Sequence, residues 1–159
     1  MAFNGGVGPV QLAWLRSELS AAVASGERVI LLSHQPFHPD SCDPVTLPFN
    51  YEAVLDVLRS FEGTVVATFS GHTHNSGYAH DGGIHHVVVA AVLESPPPVE
   101  TFAVVRAYED RLEWEGFGDE WPEKTMRFPK RKGERKGAGE CTEEGGDRNR
   151  KRRKTTKQV

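Results

Sequence analysis

Two short apolar runs constrain the fold of this 159-residue chain more than any other feature of its sequence. RVILLS at 28–33 and TVVATFS at 64–70 lack the alternation of a half-exposed strand, which is typical of strands covered on both faces. Each run follows a segment, 7–26 or 50–63, that has apolar residues at helical spacing and ends in a glycine. The order helix, strand, helix, strand predicts an α/β fold.

Three further strand candidates follow these elements. They are HHVVVAAVL at 85–93, TFAVVRAY at 101–108 and RLEWEGF at 111–117, and the last alternates with period two. Between the two apolar runs, Gln35 to Pro48 contains four prolines and no periodicity, which predicts a long loop of the kind that often carries function. Together these segments predict one domain over residues 4–128.

The charge of the chain is divided between an acidic body and a basic tail. From Lys130 onward there are 12 Lys or Arg against 5 Asp or Glu, whereas the rest of the chain has 7 against 17. This composition predicts that residues 129–159 are disordered. The cluster RNRKRRKTTKQV fits either a solvated tail or a nuclear localisation signal, and its lack of aromatic residues disfavours nucleic-acid binding.

Cysteine content and apolar run length bear on the cellular compartment. The two cysteines, Cys42 and Cys141, form neither a disulfide framework nor a CxxC metal pair. No apolar stretch approaches the roughly 20 residues of a membrane span, and the first residues lack a signal-peptide pattern. We therefore expect a cytoplasmic protein without a membrane partner, with nuclear targeting through the tail as an alternative.

All seven histidines lie between residues 34 and 86, and three share one context. His34 follows the first apolar run, while His72 and His74 follow the second after Gly71, a residue expected to let the backbone turn sharply. If the two strands are neighbours, these imidazoles meet beyond the carboxyl ends of the sheet, where ligands bind. A single histidine there is more often a solvated loop residue, but three at matching positions favour a transition-metal site.

Two of these strings carry a resemblance to a known family. LLSHQP and SGHTHN resemble the last two metal-binding motifs of the calcineurin-like metallophosphoesterase superfamily. NGGVGPVQLAWL, SCDPVTLPFNYEAVLDVLRS and ESPPPVETFAVVRAYEDRLEWEGFG further resemble the manganese-dependent ADP-ribose/CDP-alcohol diphosphatase group. The resemblance extends from Asn4 to Phe128 and implies the C-terminal half of a four-layer α/β sandwich, with mixed sheets flanked by helices.

The same resemblance implies a hydrolase that cleaves the diphosphate of ADP-ribose, CDP-alcohols or similar nucleotides. It implies two divalent metal ions as cofactors, manganese in this group, with iron, zinc and magnesium as alternatives. His34 and His72 would bind one ion and His74 the other. The close spacing of the HxH pair would then serve two adjacent ions.

The family's upstream motifs DxH, GDxxD and GNH[DE] do not occur in this chain. GDEW at 118–121 lacks the second aspartate and is interpreted as a surface turn. Because the bridging aspartate and the histidine that assists the leaving group belong to those motifs, no residue here is assigned as catalytic. We expect a truncated gene model or a partial gene, poorly active or inactive unless a complementing N-terminal half is present. The alternative is a non-catalytic remnant or metal-binding module that keeps a three-histidine site, with a basic tail that binds nucleic acid or directs the protein to the nucleus.

Six other side chains are weaker candidates for substrate contact: His38, Cys42, Asn50, Asn75, Glu94 and His86. For His38 and Cys42 a plain loop position is the favoured interpretation, whereas a helix N-cap explains Asn50 equally well. Glu94 could be a solvated acid at a strand end. His86 matches a histidine that the family often has, and His85 must face the other way on the same strand.

Overall fold

The computed structural model describes residues 4–130, and the tail predicted to be disordered lies outside them from residue 131 onward. The helices and strands, in chain order, are α1 (Pro9–Ser25), β1 (Val29–Leu32), α2 (Tyr51–Ser60), β2 (Val65–Ser70), β3 (Gly77–Asp81), β4 (Ile84–Val88), β5 (Phe102–Ala107), β6 (Arg111–Phe117) and β7 (Glu123–Arg127). Short 3-10 helices span Pro39–Ser41, Pro44–Thr46 and Val92–Glu94. The predicted order helix, strand, helix, strand is confirmed.

The strands form two sheets with different connectivity. The first sheet has the order β1-β2-β4-β3, in which β1 pairs with β2 and β2 with β4 in parallel, and β3 pairs with β4 in antiparallel. The second sheet is an antiparallel meander of β5, β6 and β7. Because β1 and β2 are parallel neighbours, both of their carboxyl ends lie at the same edge of the first sheet.

The two sheets and the helices form three layers that share two apolar cores. One core joins α1 and α2 to the first sheet, with Leu19, Leu58 and Ile84 almost wholly buried in it. The other core lies between the sheets and contains Leu112 and Met126. The predicted α/β class is confirmed by this architecture, in which helices cover one face of a mixed sheet and an antiparallel sheet covers the other.

The sequence prediction missed two strands, β3 and β7, and made a third strand longer than it is. β3 forms a hairpin with β4 through Gly82 and Gly83, whose φ angles of 54° and 79° suit a tight hairpin turn. β7 has a single fully buried residue, Met126, and therefore little periodic signal. The strand predicted for 85–93 ends at Val88, because the Ala90 N–H donates to a Glu120 carboxylate oxygen and the Ala91 N–H to the His74 carbonyl.

Apolar coverage differs between the first two strands. β2 is buried along almost its whole length, as predicted. The prediction is wrong for β1: Ile30 is 38% and Leu32 76% exposed, because they lie on the face opposite Val29 and Leu31, and the core between the sheets does not cover that face. In the described part of the chain, no helix has both the length and the apolar character needed to cross a membrane.

Candidate metal centre

His34, His72 and His74 all line one cavity of about 850 Å³. His34 lies two residues beyond the end of β1, and His72 and His74 lie in the loop that follows β2. The Gly71 N–H donates to the His34 carbonyl, at a donor–acceptor distance of 3.1 Å, and so ties the two loops together. The parallel pairing of β1 with β2 therefore brings the three imidazoles to one edge of the sheet.

His34 and His72 form a close pair. The His72 Nδ1 atom lies 3.2 Å from the His34 Nε2 atom. Two nitrogens that each bind one metal ion at about 2.1 Å, with an angle near 100° between the bonds, are separated by roughly this distance. The pair therefore has the spacing of two donors to a single ion. The metal-binding role of His34 and His72 stays a prediction.

A hydrogen bond from Asn4 sets the tautomer of His72. The Asn4 amide nitrogen donates to the carbonyl oxygens of Val45 and Leu47, at 2.6 Å and 3.0 Å, and this fixes the orientation of the amide. Asn4 Oδ1 then accepts a hydrogen bond from His72 Nε2–H, at 3.3 Å. The lone pair of His72 is thereby left on Nδ1, where it accepts a hydrogen bond from His34 Nε2–H at 3.2 Å. A metal ion held by both rings would take the place of this proton.

The charge state of His72 also suits a metal ligand. Burial lowers the pKa of His72 below its ordinary value, and the nearby His34 and His74 lower it further. An imidazole must be neutral to bind a metal ion. His72 is therefore in its ligand form at neutral pH.

His74 is held by a carboxylate rather than by another imidazole. The His74 Nδ1–H donates to Glu94 Oε1 at 2.8 Å, so that Nε2 carries the free lone pair. Metal-binding histidines commonly donate their second ring N–H to a carboxylate in this way. The structure thus gives Glu94 a specific contact that the sequence did not suggest, since Glu94 was a candidate for substrate contact or a solvated acid.

The loop that carries these ligands has a strained backbone. His72 and His74 are the two non-glycine residues with positive φ in the described chain, at 68° and 63°. Left-handed conformations are costly for residues with a Cβ and persist where surrounding structure enforces them, often at functional sites. The prediction that Gly71 makes the sharp turn is wrong, because the left-handed positions are the histidines themselves.

The donor set fits metal ions but is shared between two places. Within residues 4–130, no group of three or more His, Cys, Asp or Glu side chains is arranged so as to hold a metal ion. The His34–His72 pair offers two nitrogens at one place, and His74 offers one beside Glu94. This division follows the predicted assignment to two ions, and the metal-binding role of the three histidines remains a prediction.

His38 and His86 are both buried, and neither lines the cavity. Their rings pack with centroids 4.8 Å apart, and the His38 Nδ1 accepts the Asp40 N–H. His86 is 2% exposed and contacts the Thr68 hydroxyl through Nδ1, at 3.0 Å. Burial is the main reason that the pKa of His86 falls to about 4. Substrate contact by His38 or His86 remains a prediction without support from this geometry.

Cys42, Asn50 and Asn75 also lie outside the cavity lining. The half-buried Cys42 thiol donates to the His38 carbonyl, and burial raises the pKa of Cys42. Asn50 stands at the N-cap position of α2, but its amide bonds the backbone N–H and carbonyl of Val7 instead of capping the helix. Asn75 is exposed and makes only local bonds with Thr73. Substrate contact by these three residues likewise remains a prediction.

Two residues with a place in the site were missed by the sequence prediction. Asn4 lies in a segment without any periodicity, and only its long-range contact with His72 reveals a role. Glu120 belongs to GDEW, which was interpreted as a surface turn, yet its side chain is buried. That interpretation is wrong for Glu120, because the carboxylate accepts bonds from Ser76 and Ala90 at the edge of the site.

No family model matches the chain, but individual proteins do. The manganese-dependent ADP-ribose/CDP-alcohol diphosphatase of Bos taurus is 40% identical over 129 residues, which are 80% of this chain and 38% of the relative. The protein of the same name from Homo sapiens is 39% identical over 129 residues, 80% of this chain and 37% of the relative. A crystal structure of a dimetal phosphatase from Danio rerio superposes with a TM-score of 0.75 at 39% identity, over 80% of this chain and 40% of that one. The chain therefore spans about two fifths of the length of the relatives it matches.

Replacing His74 by glycine should give a more stable protein than replacing it by alanine, by about 1 kcal/mol. Both substitutions remove the imidazole, but only glycine adopts a positive φ without a steric cost. Urea denaturation of the metal-free chain measures the difference. The same pair of substitutions at Thr73, whose φ is not positive, serves as the control and should favour alanine. Equal stability of the two His74 variants would contradict the strained backbone.

Lowering the pH from about 6.5 to about 4 should destabilise the fold by up to about 3 kcal/mol through His86. The folded state holds His86 neutral over this range, whereas the unfolded state takes up a proton. The contribution of His86 is therefore complete above pH 6.5 and is lost as the pH falls. Urea denaturation at several pH values measures the slope, which His86→Gln should reduce. His80→Gln, at an exposed position, is the control and should leave the slope unchanged. If His86→Gln also leaves the slope unchanged, the assignment of this pH dependence to His86 is wrong.

Proposed function

Because the chain is homologous to the manganese-dependent ADP-ribose/CDP-alcohol diphosphatases over four fifths of its length, we propose that it provides the histidine side of a two-metal phosphohydrolase centre. The substrates would be ADP-ribose, CDP-alcohols or similar nucleotide diphosphates. The observation that carries the proposal is the orientation of His72 and His74, each of which presents its unprotonated nitrogen through a hydrogen bond on the other ring atom.

The three histidines would bind two divalent ions between them, with manganese as the first choice. His34 Nε2 and His72 Nδ1 would hold one ion, and His74 Nε2 would contribute to the other. Such ions would supply an activated water and neutralise charge on the phosphoryl oxygens. Asn4 and Glu94 would keep His72 and His74 in the ligand tautomer.

The cavity supports a small-molecule substrate. Its volume of about 850 Å³ lies within the range usual for ligand sites. Its lining includes the three candidate ligands and residues 4–7. A nucleotide diphosphate could therefore place its diphosphate beside the imidazoles and the rest of the molecule along the cavity.

We further propose that carboxylates from a complementing polypeptide complete the centre. Neutral imidazoles alone leave two dications without compensating charge, and the described residues hold no complete metal cluster. In the described sheet the outer backbone edge of β1 is unpaired and could accept a further strand, and the exposed Ile30 and Leu32 offer apolar surface on the adjoining face. The alternative is a metal-binding module without catalysis, which the retained histidine geometry would equally permit.

The chain fused to the part of the zebrafish dimetal phosphatase that it does not match should hydrolyse ADP-ribose with manganese. The isolated chain should be at least about a hundredfold slower, because it lacks ligands for charge compensation. In the fused protein, His74→Ala should lower kcat by a similar factor, and the exposed His80→Ala should change it by less than about twofold.

Release of AMP in the presence of manganese measures these rates. Equal and substantial turnover by the isolated chain would overturn the need for a complementing segment. An unchanged rate in the His74→Ala fusion would overturn the ligand assignment. Manganese binding by both proteins without turnover in either would favour the non-catalytic module.

A further inference from the structure

Glu120 is a buried carboxylate that the proposed reaction does not use. It lies in the turn between β6 and β7 and is only 6% exposed. Burial of a carboxylate is unfavourable unless its oxygens accept hydrogen bonds, so a glutamate retained at such a position requires partners. A solvated turn residue would incur no such cost and would need no hydrogen-bond partner within the protein.

The two oxygens of Glu120 bind two different segments at the edge of the metal centre. Oε2 accepts a hydrogen bond from the Ser76 hydroxyl at 2.9 Å, and Oε1 accepts the Ala90 N–H. Ser76 lies two residues after His74 in the loop that follows β2. The Ala91 N–H, one residue beyond Ala90, donates to the His74 carbonyl at 3.1 Å. The carboxylate thus links the loop that contains His74 to the segment that hydrogen-bonds the His74 carbonyl.

The Ala90 contact of Glu120 is also connected, along the polypeptide chain, to the residue that bonds the His74 side chain. Ala90 and Ala91 lead directly into the 3-10 helix Val92–Glu94, and Glu94 accepts the His74 Nδ1–H. A shift of this segment would move the carboxylate that sets the tautomer of His74. The Glu120 contacts therefore help to fix both the backbone position and the ring orientation of His74.

The turn that carries Glu120 is itself firmly placed. The Trp114 indole N–H donates to the Trp121 carbonyl at 3.1 Å, and the Gly116 N–H donates to the Pro122 carbonyl at 2.9 Å. A side chain at Gly116 would collide with the Trp121 carbonyl and with Glu120. The second sheet therefore presents the carboxylate from a rigid support.

We propose that Glu120 is a positioning residue that holds the His74 loop in its left-handed conformation, so that His74 Nε2 faces the cavity. A left-handed histidine persists only where its surroundings enforce it. Glu120 bonds Ser76 of this loop directly, and it also bonds Ala90, whose neighbour Ala91 donates to the His74 carbonyl. The effect on metal binding rests on the proposed function. The effect on the loop itself does not.

Two readouts on the full chain test the proposal. Glu120→Ala should accelerate hydrogen exchange of the Ala91 amide by about tenfold and weaken manganese binding by about tenfold or more. Glu120→Gln should restore both to within about threefold, because its carboxamide oxygen can accept the Ala90 N–H and its NH₂ group can donate to the Ser76 hydroxyl. Exchange is followed by NMR without metal, and manganese binding by the relaxation of water protons.

Matched variants separate positioning from loss of stability. Glu123→Ala removes an exposed glutamate of the same hairpin and should change neither readout. Met126→Ala destabilises the core between the sheets but should leave manganese affinity unchanged under conditions where it is folded. If Glu120→Ala does not fold, Ser76→Ala removes one of the two bonds and should produce a smaller change in the same direction.

Unchanged exchange of the Ala91 amide in both Glu120→Ala and Ser76→Ala would overturn the positioning role, as would failure of Glu120→Gln to restore it. If no variant, nor the original chain, binds manganese while exchange responds as expected, the positioning role stands and the three histidines do not hold manganese without a complementing segment. Equal loss of manganese affinity in Met126→Ala would also overturn the proposal, because a general loss of stability would then account for the effect.

Discussion

The parallel pairing of β1 with β2 determines where every candidate ligand lies. Because both strands run in the same direction, the loops that follow them leave at one edge of the sheet. The bond from the Gly71 N–H to the His34 carbonyl then joins these loops directly. A change of register between the strands would separate the His34 and His72 rings, which now lie within 3.2 Å.

Each imidazole gains its chemical character from a partner outside the strands. Asn4 accepts from His72 and Glu94 accepts from His74, so that in each ring one nitrogen is left with a free lone pair. Burial keeps His72 neutral by lowering its pKa. The second sheet contributes through Glu120, which links the loop after β2 to the segment after β4. The candidate site therefore draws its residues from the sheet edge, from loops and from the second sheet.

The sequence predicted the parts of this arrangement that depend on local patterns. Apolar runs identified β1 and β2, and the residues that follow them identified His34, His72 and His74. The hairpin strand β3 and the short β7 were missed because their residues carry little apolar periodicity. Asn4 and Glu120 were missed because their roles depend on contacts 68 and 44 residues away in the sequence. Glu94 was recognised as a candidate, but its contact with His74 became apparent only from the fold.

The tautomers of His72 and His74 provide the most direct test of this account. Long-range ¹H–¹⁵N correlation spectra of the metal-free chain at neutral pH distinguish a proton on Nδ1 from one on Nε2. We predict that His72 carries its proton on Nε2 and His74 on Nδ1, so that His72 Nδ1 and His74 Nε2 carry the lone pairs that a metal ion would take. A proton on Nδ1 of His72, or on Nε2 of His74, would contradict the assignment of these nitrogens as ligands.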